Sequence, residues 1–80
     1  MSKKYTILAF DDHANGQAYL NAYKFASQKG RAVTLALDLL KSHDHICVAR
    51  TKDLPEMDFI TFRQAIRYSI ILEAGINAEL

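Results

Sequence analysis

The sequence predicts an α+β domain: a short antiparallel two-stranded sheet, residues about 5–10 and 46–50, packed against helices about 16–29, 32–42 and 62–74. Three observations predict it. A run of β-formers stands near the N-terminus, a stretch with helical spacing of apolar residues follows, and a capping pattern opens a glycine-bounded segment near the C-terminus.

Residues 5–10, Tyr-Thr-Ile-Leu-Ala-Phe, are apolar on both faces, as in a strand covered on both sides. Asn15 or Asp12 is placed to cap the next element. At about 100° per residue, Ala18, Tyr19, Ala22, Tyr23, Phe25 and Ala26 fall on one arc and Gln17, Asn21, Lys24 and Gln28 fall opposite. A helix over 16–29 follows, with Gly30 as its stop. Residues 32–42 fit two periods. As a helix, Thr34, Asp38, Lys41 and Ser42 share a narrow polar face; as a strand, Val33, Leu35, Leu37 and Leu39 alternate with Thr34, Ala36 and Asp38. The leucine content favours the helix, and a strand over 32–40, in β-α-β-β-α order, is the alternative. Ile46 to Arg50 reads as the second strand, and the segment with Pro55 as a connection. Thr61 and Gln64 form a Thr-x-x-Gln capping box that opens a helix ending at Gly75.

The 80 residues form one domain, with half of them hydrophobic and one proline. Cys47 is the only cysteine, so no disulfide closes within the chain. No apolar run approaches the roughly 20 residues of a membrane span. The Lys3-Lys4 start is followed by an apolar stretch too short for a signal peptide and broken by Asp11-Asp12. The expected setting is a reducing compartment, the cytoplasm. A net charge of +1 supplies no general attraction to nucleic acid or anionic membrane.

All three histidines lie in two acidic clusters, Asp11-Asp12-His13 and His43-Asp44-His45. If consecutive elements reverse direction, both clusters arrive at the same end of the domain and the two strands pair antiparallel. This holds whether 32–40 is helix or strand. Three imidazoles and three carboxylates at one end are candidate ligands for zinc or another divalent ion, structural or hydrolytic. The spacing matches no complete metal signature, and exposed turns and helix caps use the same residues. Cys47 and His45 are two apart on a strand, too distant for a thiol–imidazole pair, so Cys47 reads as a small buried residue.

The last helix breaks local rules. Arg63 and Arg67 are four apart and repel, and arginine sits near the N-terminal end with Glu73 near the C-terminal end. Phe62, Ala65, Ile66, Ile70 and Leu72 form its core arc; Arg63, Gln64, Arg67 and Ile71 face away. With Tyr68, those four make a candidate partner surface. Arg63 and Arg67 on phosphates with Gln64 on a base edge is the nucleic-acid alternative. The expected function is a small non-catalytic interaction protein, a regulator or inhibitor binding a protein partner through this helical face as a homodimer, with no cofactor. A metal-binding protein or hydrolase is the second reading.

Overall fold

The structure, a computed structural model, describes residues 3–55 and 60–70. In chain order the elements are β1 (Tyr5–Asp12), β2 (Ala18–Ala26), α1 (Lys29–Leu40), β3 (His45–Arg50), a single 3-10 turn (Thr51–Asp53) and α2 (Phe62–Ile66). The class is α+β as expected, with a three-stranded antiparallel sheet in the order β2-β1-β3.

The main correction is the segment 16–29, which is not a helix. It forms strand β2, joined to β1 by a hairpin. His13 N–H donates to the Gln17 carbonyl (2.7 Å) and Gly16 N–H to the His13 carbonyl (2.9 Å). Gly16 has φ +86°, the left-handed conformation that closes a three-residue hairpin loop after Asn15. The helical spacing has a physical origin. β1 and β2 shift register between Ala9 and Phe10, which pair with Ala22 and Leu20 and leave Asn21 as a bulge. One inserted residue turns an alternation of two into steps of two and three. Ala18 and Leu20 then pack on the Leu8–Phe10 face and Ala22 and Ala26 on the Ile7–Ala9 face, so residues of equal parity serve opposite faces and the strict period of two that marks a strand is broken.

The helical reading of the next segment holds, and the alternative of a strand over 32–40 does not. α1 begins earlier than the expected 32–42, and Gly30 lies in its first turn instead of ending a previous helix. Its Ala32, Val33, Leu35, Ala36 and Leu39 are buried against Tyr5, Ile7, Ala9, Ile46 and Val48 on one sheet face. The opposite face holds Leu8, Phe10 and Cys47 under Ile60 and Ala65. β1 is thus covered on both sides, as its continuous apolar run requires. Its one buried polar side chain, Thr6, is hydrogen-bonded to the Thr51 hydroxyl at 2.7 Å.

The final helix is also shorter than the expected 62–74. The Thr61–Gln64 capping box forms: Gln64 N–H donates to Thr61 Oγ1 (3.2 Å) and Thr61 N–H to Gln64 Oε1 (3.0 Å). After Ile66 the bonds tighten to a spacing of three, and the Ser69 hydroxyl donates to the Ile66 carbonyl at 2.8 Å. Ser69 then bridges Ala49, and Ile70 N–H donates to the Val48 carbonyl at 2.8 Å. Pairing along the outer edge of β3 replaces further helical turns, whose charge order was unfavourable. The expected core residue Leu72 and surface residue Ile71 lie outside the described residues.

Candidate functional site

β1 runs toward the hairpin, β2 returns, α1 runs forward again and β3 returns, so the ends of β1 and α1 meet. The antiparallel pairing of β1 with β3 sets Phe10 opposite His45. Asp11 and Asp12 therefore face the loop at 43–45, and the two histidine clusters come together.

The contact is reciprocal. Asp44 N–H donates to Asp11 Oδ1 (2.9 Å), and Asp12 N–H donates to Asp44 Oδ2 (2.9 Å). Asp11 Oδ2 meets His43 Nδ1 at 2.9 Å and also accepts from the side-chain amide of Asn21, the bulge residue. Asp12 Oδ1 meets His45 Nε2 at 2.9 Å. The His43–Asp11 pair is the more sheltered, with side chains 14% and 19% exposed against 34% and 48% for His45–Asp12. Hydrogen bonds from His43, then Asn21, then the Asp44 backbone hold the Asp11 carboxyl down at about 2.

His13 is not part of this set. Its ring lies 4.1 Å from that of Tyr19. The His45 ring stacks on Phe62 (4.7 Å, 26°), and Phe62 tilts against the fully buried Phe10 (5.2 Å). A groove of about 610 Å³ runs from Gly16 and Gln17 past Asp12 and His45 to Thr61 and Arg63.

Among the described residues no three histidine, cysteine or acidic side chains are placed to hold one ion. The six candidate ligands Asp11, Asp12, His13, Asp44, His43 and His45 do not converge on one point: His43 and His45 each face a carboxylate and His13 faces a tyrosine ring. The His45–Asp12 pair has the composition of a general base oriented by a carboxylate, which could act on water or on a side-chain hydroxyl or thiol. Thr61 Oγ1 holds the cap of α2. Cys47 is buried, its thiol donates to the Ala65 carbonyl (3.3 Å), and burial pushes it up to about 12. The cluster acts as a clasp that ties the end of β1 to the α1–β3 loop.

The expected partner surface is only partly present. Arg63 and Gln64 are exposed on a helix of five residues, and the turn after it carries exposed Arg67 and half-buried Tyr68. The capping box engages the Gln64 side chain through Oε1 alone.

One group was missed. Lys3 and Lys4 precede β1, while Arg50 and Lys52 follow from β3, and Tyr5 pairs with Arg50. These four cations and Tyr5 line a cleft of about 350 Å³ at the end of the sheet opposite the clasp. The direction count that joins the histidine clusters also joins these residues, so the signal was present in the sequence.

Comparison with protein-family models, with curated proteins and with solved structures finds no match to this chain.

Proposed function

We propose that the chain is a small non-catalytic interaction protein, a regulator or inhibitor, that takes an extended segment of a protein partner along β2. The observation that carries this reading is the edge itself. β2 is the outermost strand among the described residues and bonds to β1 on one side. Thr51 N–H donates to the Lys4 carbonyl (3.0 Å), so even-numbered residues of β1 bond toward β3 and odd-numbered ones toward β2. Ala22, Lys24 and Ala26 pair with odd residues. Tyr23 and Phe25 therefore direct their N–H and C=O groups outward, ready for strand addition.

Beside this edge a groove of about 400 Å³ separates Lys24 from the α1 residues Arg31, Thr34, Leu37 and Lys41. Leu37 and Leu40 are exposed on the same helix, and Tyr23 is exposed on β2. Three cations to one carboxylate, Asp38, favour an acidic segment with apolar side chains at alternate positions. The bulge at Asn21 confines addition to Ala22–Ala26, and a bulged, lysine-bearing edge resists open-ended stacking. The buried free thiol of Cys47 suits a reducing compartment, and we assign the protein to the cytoplasm. No described helix is long and apolar enough to cross a membrane.

Tyr23→Pro tests the reading. Proline removes an outward N–H and is tolerated on an edge strand, so pairing with β1 is kept. A second copy of the chain is the first partner to try, by sedimentation velocity over a wide concentration range. Tagged capture, with each binder re-tested as a purified pair, is the second. The expected result is a complex formed by the wild type and lost in Tyr23→Pro with little change in melting temperature. A strictly monomeric wild type whose captured binders all hold Tyr23→Pro equally well would overturn the proposal.

A further inference from the structure

We infer that the cleft of Lys3, Lys4, Arg50 and Lys52 binds the phosphate backbone of single-stranded nucleic acid, with the exposed Tyr23 ring as a stacking surface for a base. This goes beyond the proposed protein partner and does not rest on it.

The charge carries the first step. The chain's net charge is only +1, yet four cations converge where the start of β1 meets the end of β3. No carboxylate lines the cleft among the described residues, and Asp53, nearest in sequence, is not on its wall. The ion pairs among the described residues are the two histidine–aspartate contacts at the far end of the sheet. Assembling four like charges opposes folding, and a bound anion reverses that cost. The cleft's volume, about 350 Å³, lies at the small end of ligand sites (~300–1,000 Å³).

The aromatic rings select the kind of anion. Lys3 Nζ lies 4.4 Å from the centre of the Phe25 ring, and Tyr23 meets Phe25 edge-on at 5.5 Å. Tyr23 is exposed. Lys3, on the cleft wall, covers the half-buried Phe25 ring, which leaves the exposed Tyr23 beside it as the ring for a base to stack on. Cationic groove plus stacking rings is the recognition scheme for unpaired nucleic acid, and paired bases do not offer their faces. A membrane surface instead calls for apolar side chains projecting around the cations.

The test is fluorescence anisotropy of a short labelled oligouridylate with the full chain, over a range of salt concentrations. Four neutralised phosphates predict a slope of log K against log salt of about −3, and Arg50→Gln with Lys52→Gln should bring it to about −1.4. Lys3→Gln with Lys4→Gln should do the same, which keeps the test open if one pair fails to fold by circular dichroism. Tyr23→Ala should weaken binding at least about fivefold with the salt slope unchanged. Arg63→Gln with Arg67→Gln, on α2 and the turn that follows it, should change neither. The inference is overturned by no binding at low salt or by a slope that the cleft variants leave unchanged. It is also overturned by a loss in the α2 variant equal to theirs, or by phosphatidylserine vesicles binding through the cleft where the oligonucleotide does not.

Discussion

At one end of the sheet, Asp11 and Asp12 meet His43 and His45 in two contacts of 2.9 Å, and backbone N–H groups donate to the carboxylates of Asp11 and Asp44. At the other end, Lys3, Lys4, Arg50 and Lys52 surround a cleft with no carboxylate on its wall among the described residues. Both clusters arise from the same antiparallel topology, which brings the two ends of β1 to the two ends of β3. The difference lies in complementarity. Opposite charges that meet within hydrogen-bond reach complete one another and become part of the framework. Like charges gain nothing from each other, so their concentration makes sense through something that binds them.

The strongest way to break this contrast is to ask which end belongs to the framework. Phe10 is fully buried, supports Phe62 and through it the His45 ring. Phe10→Ala should destabilise the protein by about 3–5 kcal/mol, the usual cost of deleting a buried ring. Urea unfolding measures it, and a loss below about 1 kcal/mol would separate the clasp from the core. Next in size is Asp11→Asn, which keeps the shape and removes the charge. The Asp11 carboxyl is held at about 2 against an ordinary 3.8, so its contribution to stability is fully present above 3.8 and is lost as pH falls toward 2. The variant should melt several degrees lower at neutral pH, with the gap closing between those two values. A gap that persists below pH 2 would mean that shape, not charge, holds the loop.

Much of this contrast was legible before the fold was known. The alternating direction of the elements placed both histidine clusters at one end even though one of those elements was assigned the wrong structure. A strand and a helix both reverse the chain, so direction survives an error of type. What could not be read from spacing was β2. The bulge at Asn21 moves residues of equal parity to opposite faces and so hides the period of two, and Asn15-Gly16 was the local sign of a hairpin. The end of α2 was equally hidden: Thr61 and Gln64 announce where it starts, whereas its stop depends on Ser69 and Ile70 finding the edge of β3. Local chemistry marks beginnings well, and long-range pairing decides where such a weak helix ends. The single polar contact of Thr6 with Thr51 likewise depends on the register of residues far apart in sequence.

A smaller effect sharpens the clasp itself. His45–Asp12 is the more exposed of its two pairs, where solvent screens the attraction. A double-mutant cycle with Asp12→Asn and His45→Gln should give a coupling of only about 0.2–1 kcal/mol. The same cycle on Asp11 and His43 should give the larger value, since those side chains are better sheltered. Equal couplings would show that exposure does not rank the two pairs.

The smallest expected change in stability is at the basic end, and its sign is the informative part. Arg50→Gln with Lys52→Gln removes two of four like charges from a surface cleft and deletes no buried group. The melting free energy should move by no more than about 0.5 kcal/mol. In dilute buffer the shift should be toward greater stability, because the repulsion among the four cations is relieved. At about 1 M salt the screening length falls to about 3 Å and the shift should vanish. A destabilisation that is independent of salt would instead make these cations part of the framework, as the aspartates and histidines are. A stabilisation that fades with salt would mean that the free protein carries a charge repulsion that a bound anion would relieve.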